Sequence, residues 1–390
     1  MLALDVRNQS LRIGIPKEIA LKERRVALDP DAVGLLVAHG HRVVVQSEAG
    51  VHANFTDTDY SEMGAEISDD ASSVFECDVI LKVAPPQAEE LAHMRDRQTI
   101  FSGLQLSTQP KETIEMMMER KITAVAWDFM RDKMGVFPLV RAMGEIAGTT
   151  SISIAAGFLA HPKYGNGTML GGLSGVAPSQ VAIIGAGTVG EYAARAAKGM
   201  GAEVRIFDAS PYRLRRLQGE MGRRLWTSTL NPKALQDVLA RADVVIGAVR
   251  PTHGRTPCIV TETMVEGMKE GAVIVDVSID SGGCFETSRV TTHEKPVFIK
   301  HGVTHYGIPN IPSRVPRTAS QALSNGLGPL MLSVGESGGI AGAIHDSPMI
   351  RSGLYLYNGS LVNADLAEAF DWPYRDLNLL LAGINRPPSS

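Results

Sequence analysis

The chain has 390 residues, enough for two domains with sizeable cores. Its formal net charge of −4 leaves no cationic footprint for nucleic acid, and no nucleic-acid partner is expected. Cys77, Cys258 and Cys284 are scattered, which argues against a disulfide framework and a cysteine-based metal cluster; no metal is expected, and a reducing cytoplasmic setting is. Residues 1–10 lack the pattern of a signal peptide, and the longest apolar run, near Ile152–Leu159, is too short to span a bilayer, so no membrane partner is expected either.

In chain order, Leu11–Ile15 predicts a strand, Pro30–His39 a helix ended by Gly40, and His41–Gln46 a second strand. Asp78–Val83, Thr99–Leu104 and Thr123–Asp128 continue the strand series. Strands alternating with helices imply a parallel sheet covered on both faces. Glu145–Leu159, small and apolar, predicts a long connecting helix, followed by the glycine-rich loop Gly165–Gly175. A second strand series begins at Val181 and continues through Val204–Asp208, Ala242–Gly247 and Ala272–Asp276. After Pro316 a helical stretch leads to the C-terminal region, which is expected to return to the first unit.

The second series opens on the most informative motif. Val181-Ala-Ile-Ile184 runs into Gly185-Ala186-Gly187-Thr188-Val189-Gly190, and a helix-like segment follows. In this pattern the first glycine lets the chain turn, the second lets the backbone approach a pyrophosphate, and the third lets helix pack on strand. The N–H groups and dipole of the helix start favour that anion. Asp208 ends the next apolar run, about 20 residues on, where an acid hydrogen-bonds a ribose 2′-OH. The expected cofactor is NAD, because Asp208 repels a 2′-phosphate. Arg213, Arg215 and Arg216 lie just downstream, either offsetting that repulsion or forming a solvated basic face. The expected fold is α/β, with two Rossmann-like doubly wound parallel-sheet domains flanking a cleft. Residues 1–143 with 315–390 form a discontinuous substrate and catalytic domain, and 144–314 the NAD(H)-binding domain.

Open parallel sheets bind ligands beyond the carboxyl ends of their strands. Polar residues that interrupt apolar runs there are therefore the site candidates. Lys82, within Val79-Ile-Leu-Lys-Val83, is either a used lysine or one snorkelling at the sheet rim. Arg25 offers a bidentate grip on a carboxylate, although spacing alone separates it neither from Arg24 nor from a solvated loop. Asp276 and Asp280 follow a buried strand and lead into Gly282-Gly283; either they face the nicotinamide or they form a turn. Gln105 interrupts Leu104–Leu106 at another strand end.

In these segments the chain resembles the alanine dehydrogenases, which share a superfamily with the nucleotide-binding subunit of transhydrogenase. The resemblance rests on Ile13-Gly-Ile-Pro-Lys-Glu18 with Arg25-Val-Ala27, Leu81-Lys-Val83, Gly144-Glu-Ile-Ala-Gly148, the Val181 strand with its glycine turn, Asp276–Glu286, Asn310-Ile-Pro312 and Val315–Thr318. It covers roughly residues 11–375, and Gly282-Gly-Cys-Phe-Glu286 is similar to the dehydrogenase branch. It implies a small amino-acid or oxo-acid substrate and a homo-oligomer, commonly a hexamer. Arg25 and Lys82 would hold the substrate carboxylate, with Asn310 beside them. Asp280 would lie at the junction of nicotinamide and substrate. Residues 185–190, Asp208, Arg213, Ala248, Val249 and Ile279 would line the coenzyme. The chain departs from the family at Gln105, where a catalytic histidine is usual, and at Gly144, where a serine is. Gln105 does not titrate, so either Lys82, Asp280 and an ordered water carry the proton traffic or the chain is no longer a competent alanine dehydrogenase. His305 is a further base candidate, or else a satisfied histidine at a domain edge.

Overall fold

The computed structural model describes residues 9–20, 22–105, 109–221, 225–251 and 254–384. The chain divides into two compact units, one made of Met1–Ala142 with Val315–Ser390 and the other of Met143–Arg314. Its strands are β1 (Arg12–Ile15), β2 (Arg42–Gln46), β3 (Glu66–Ser68), β4 (Val79–Leu81), β5 (Thr99–Ser102), β6 (Thr123–Ala126), β7 (Gln180–Ile184), β8 (Glu203–Phe207), β9 (Trp226–Ser228), β10 (Val244–Gly247), β11 (Val273–Asp276), β12 (Val297–Lys300), β13 (Val303–Tyr306), β14 (Leu354–Tyr357) and β15 (Ser360–Leu361).

In the first unit the sheet order is β15-β14-β6-β5-β4-β1-β2-β3. Strands β1 to β6 pair in parallel, while β14 and β15 add an antiparallel edge. Order reverses between β1 and β4, and such a switch point opens a crevice at the strands' carboxyl ends. There β1 runs towards Glu18, β4 into Lys82 and β5 towards Gln105. The returning helix Pro316–Glu336 is tied to this unit by side chains: the Val26 N–H donates to Ser320 Oγ at 2.9 Å and the Asp29 N–H to Ser324 Oγ at 2.7 Å. Asp29 also caps the helix Pro30–Ala38 by accepting the Ala32 N–H.

In the second unit the order is β12-β13-β11-β10-β7-β8-β9, with only β12 antiparallel. Alternation along β7 builds both cores. Val181 and Ile183 face one apolar cluster, which also contains Ile152 and Leu159 of the helix Pro138–Leu159. Ala182 and Ile184 face another, with Leu235 and Ile274.

Both sheets are thus mixed at an edge rather than wholly parallel. The strands absent from the sequence reading, β3, β9, β12, β13, β14 and β15, are two to four residues long. Of these, β3 and β9 contain no buried residue, so no buried apolar run marks them as strands.

Candidate active site

Lys82 follows β4 immediately and is fully buried. Its Nζ donates to Glu18 Oε2 at 2.9 Å and to Glu90 Oε1 at 2.6 Å. It is therefore not a lysine snorkelling at the rim. Burial alone would lower its pKa, but attraction to Glu18 and Glu90 outweighs burial and holds it above the ordinary lysine value. The group is an ammonium at neutral pH, which removes it as a proton acceptor. Glu18 is pinned by the peptide on the far side of the lysine, since its Oε1 accepts the Val83 N–H at 2.6 Å. Burial raises the Glu18 pKa, with Lys82 opposing and Glu23 adding to the rise. The two shifts differ in origin: two carboxylates raise Lys82, whereas burial raises Glu18 against the pull of Lys82.

Arg25 is buried and Arg24 is exposed, a distinction that spacing alone did not make. Arg25 Nε and Nη2 donate to the two oxygens of Glu23 at 2.7 and 2.6 Å. The bidentate grip expected of this guanidinium is therefore made, along that edge, on a carboxylate of the same loop. Glu18, Glu23 and Glu90 received no role from the sequence. The signal available was three acids beside the two candidate cations, with Glu90 starting a helix eight positions after Lys82.

The loop after β5 carries Gln105, which is exposed and adopts a left-handed φ of 42°. It is tied to its neighbours on both sides. The Gly103 N–H donates to Val83 O, the Leu104 N–H to Asp128 Oδ1 at 3.1 Å, and the Trp127 indole N–H to Lys82 O at 3.1 Å. Asp128 and Trp127 are further neighbours of Gln105 and Lys82 that the sequence reading left without a role.

In the second unit the glycine turn matches its expected mechanics. Gly185 has φ 113°, and a Cβ there would run into Ala248 O. A Cβ on Gly190 would overlap Gly185 O. A Cβ on Gly187, at the N-cap of the helix Thr188–Gly199, meets no heavy atom within 4 Å. Close packing thus requires glycine at the first and third positions, whereas the second faces open space suited to a pyrophosphate. Asp208, just past β8, is buried. It accepts the Ala186 N–H through Oδ2 and the Ser210 N–H through Oδ1, each at 2.7 Å. Arg213 Nη1 lies 3.9 Å from Asp208, and its side chain is exposed. Arg216 is not part of a solvated basic face: it bonds Glu191, Glu220 and the carbonyl of Ala186, fastening the next helix to the turn. A Cβ on Gly144 would stand 3.4 Å from Thr188 Cγ2, an ordinary contact.

Past β10, the Ala248 N–H donates to Ile184 O and the Val249 N–H to Ser278 Oγ, which sets both beside the glycine turn. Ile279 is buried and Asp280 exposed, on the short turn of helix Val277–Ser281 after β11. Asp280 Oδ1 accepts the N–H of Asn310, whose φ is 56°, at 2.9 Å. Asp276 is the turn-former of the pair. It is buried, and it accepts from the Ser278 and Cys284 N–H groups and from Ser288. His305 sits inside β13 with Nε2 2.8 Å from Thr287 Oγ1 and its ring stacked on Phe298. Burial lowers its pKa to about 4. It is a satisfied core histidine and does not serve as the missing base. On the surface, Glu262, Glu266 and His301 bring three possible ligand atoms within 4.8 Å of one another, but Lys300 already pairs with Glu262.

Two family models cover this architecture. "Alanine dehydrogenase/PNT, N-terminal domain" matches residues 14–147 and "Alanine dehydrogenase/PNT, C-terminal domain" residues 151–364. The chain belongs to the alanine dehydrogenase/PNT family. It is similar to the alanine dehydrogenase of Staphylococcus saprophyticus, with 40% identity over 370 residues covering 95% of this chain and 99% of the relative. Alanine dehydrogenase 2 of Staphylococcus aureus is 39% identical over 368 residues, 94% of this chain and 98% of the relative. Among solved structures, an L-alanine dehydrogenase superposes with a TM-score of 0.87 at 37% identity, covering 93% of this chain and 99% of that one. A transhydrogenase from Sinorhizobium meliloti shares the fold, with a TM-score of 0.78 at 24% identity over 91% and 99% of the two chains. Among the described residues no helix is long and apolar enough to cross a membrane.

Proposed function

We propose that the protein catalyses NAD-dependent oxidative deamination of a small L-amino acid, alanine to pyruvate and ammonia, and the reverse reductive amination. The observation that carries this reading is the buried ammonium of Lys82 at the end of β4, in a chain 40% identical to an alanine dehydrogenase. Placed there, Lys82 and Arg25 receive the substrate carboxylate and orient the Cα–H, and such alignment is worth several kcal/mol of the barrier.

The residues of the second unit fit NAD. Gly187 leaves its backbone open, the helix starting at Thr188 offers its N–H groups, and Asp208 stands where the adenosine ribose would lie. Ala186, Val189, Ala248, Val249 and Ile279 would line the coenzyme in this reading, as the family resemblance implies. NAD, when bound, supplies the acceptor for the hydride leaving Cα. Lys82 stays an ammonium throughout, so the proton released when water adds to the substrate iminium goes to a carboxylate. Asp280, which accepts the Asn310 N–H, takes that role in this reading.

Steady-state assays with alanine plus NAD, and with pyruvate, ammonium and NADH, test the proposal. Lack of turnover in both directions would refute it. Gln105 favours a second reading, a reductase of Schiff bases between an amino acid and an oxo acid, because its amide can donate to a carbonyl but does not titrate. Assays with amino-acid and oxo-acid pairs plus NADH discriminate the two. The family resemblance further supports a homo-oligomer, hexameric in this reading, which light scattering tests.

A further inference from the structure

An ammonium has three N–H donors, and Lys82 gives two of them to carboxylates of its own chain. Glu18 lies close enough to Glu23 to feel its charge, and Glu23 grips Arg25. The side chains of Glu18, Glu23, Arg25, Lys82 and Glu90 are all at most 9% exposed. Among these five described side chains two cations face three carboxylates, so the five together carry a surplus negative charge before any ligand arrives. A ligand carboxylate entering beside Lys82 would add a second surplus charge where water screens it poorly. The least costly relief is a proton on one of the resident carboxylates.

Geometry selects which one. Glu23 is held bidentately by an arginine, which keeps its own proton at any accessible pH. Glu90 makes the shorter bond to Lys82, 2.6 against 2.9 Å, and also accepts the Gln87 N–H at 2.7 Å as part of a helix capping box. Glu18 makes the longer bond, shares Lys82 with Glu90 and feels the charge of Glu23. The groups that face it are Lys82 with the Val83 and Ala84 N–H groups, Glu90 from the helix Ala88–His93, and Glu23 with Arg25 from its own loop. Its neighbour Lys17 is paired with Glu48. Burial already raises the Glu18 pKa.

We propose that Glu18 is a positioning residue that takes up one proton from solvent when the substrate carboxylate binds, so that the Lys82 ammonium passes from Glu18 to the substrate. The inference rests on the reading that Lys82 and Arg25 receive that carboxylate. One O–H bond forms on Glu18, the proton comes from water or buffer, Lys82 keeps its charge, and no electrons move. When the carboxylate leaves, the proton returns to solvent.

The test is calorimetric titration of pyruvate into the NADH-saturated full-length protein, in buffers of different ionisation enthalpy. Uptake of about one proton per site is expected, with the pyruvate Kd weakening by about tenfold per pH unit above the Glu18 pKa. Glu18→Gln, its folding checked by NADH binding, should bind pyruvate with no uptake and a flat pH profile. Pyruvate binding without proton uptake by the unaltered protein overturns the proposal, as does undiminished uptake by Glu18→Gln. A protein that binds NADH but gives no pyruvate heat overturns the substrate reading and this inference with it.

Discussion

The Ala186 N–H donates to Asp208 Oδ2 at 2.7 Å, so the acid read as a ribose ligand also holds the glycine turn in place. Replacing it therefore removes two functions, and two variants separate them. Asp208→Asn keeps an acceptor for Ala186 but loses the charge; Asp208→Ala loses both. A hydrogen bond to a charged group is worth about 1.5–3 kcal/mol, so NADH binding to the alanine variant should weaken by roughly 10- to 100-fold. Both variants should narrow the preference for NADH over NADPH, the more so with Arg213 only 3.9 Å away. Fluorescence titration with the two coenzymes measures this, and an unchanged preference in both variants would rule out a discriminating role for Asp208.

The three glycines of the turn should separate coenzyme binding from stability. In Gly190→Ala the new methyl overlaps Gly185 O, and overpacking of this kind costs about 1–3 kcal/mol or more. In Gly187→Ala the methyl meets no atom of the protein, and the φ of −79° suits any residue, so the cost is about 1 kcal/mol or less. NADH affinity should nevertheless fall at least about tenfold in Gly187→Ala, about 1.4 kcal/mol, because the methyl occupies the approach to the backbone. Thermal unfolding alongside NADH titration reports both. Full NADH affinity in Gly187→Ala would place the pyrophosphate elsewhere.

His305 makes the second unit acid-sensitive. Its pKa is about 4 in the folded chain, against an ordinary value of 6.5, because burial disfavours the imidazolium. The folded state therefore resists a proton that the unfolded state accepts. Stability from this residue is complete above about pH 6.5 and is lost progressively as pH falls towards 4, by about 3 kcal/mol in all. Denaturant unfolding at a series of pH values should show this slope in the wild type and a shallower one in His305→Phe, which keeps an aromatic ring against Phe298. Equal slopes would mean that the imidazole is not the group responsible.

Gln105→His restores a titrating side chain on the loop that the Leu104 N–H and Asp128 hold beside β6. Alanine turnover should rise, and kcat/KM should gain an inflection near the ordinary histidine pKa of about 6.5. Rates and pH profiles of the two proteins, compared side by side, check this. No gain in alanine turnover would point to a pocket rebuilt for a different substrate and favour the Schiff-base reading.

Several features of the protein were legible without coordinates. The apolar run Val181–Ile184, the three glycines and Asp208 lie within 28 positions, and local backbone rules govern all of them. Buried parallel strands such as β4, β5 and β10 read directly as short apolar runs. The edge strands β3 and β9 did not, because they are three residues long and none of their residues is buried. Asp276 and Asp280 looked equivalent in sequence. They part only because the loop after β11 folds back, so that Cys284 and Ser288 reach Asp276 and Asn310 reaches Asp280.

By itself, then, the order of residues determined the class of fold, the glycine turn and Lys82 as a candidate cation, but not the choice of Arg25 over Arg24, because strand periodicity and turn chemistry act over a few neighbouring positions. Only the folded chain decided the state of those cations. Glu18 lies 64 positions before Lys82 and Glu90 eight after it, and the three meet only because β1 and β4 lie side by side. A lysine's charge in the interior depends on what surrounds it in space, and that neighbourhood is a product of sheet order rather than of adjacency along the chain.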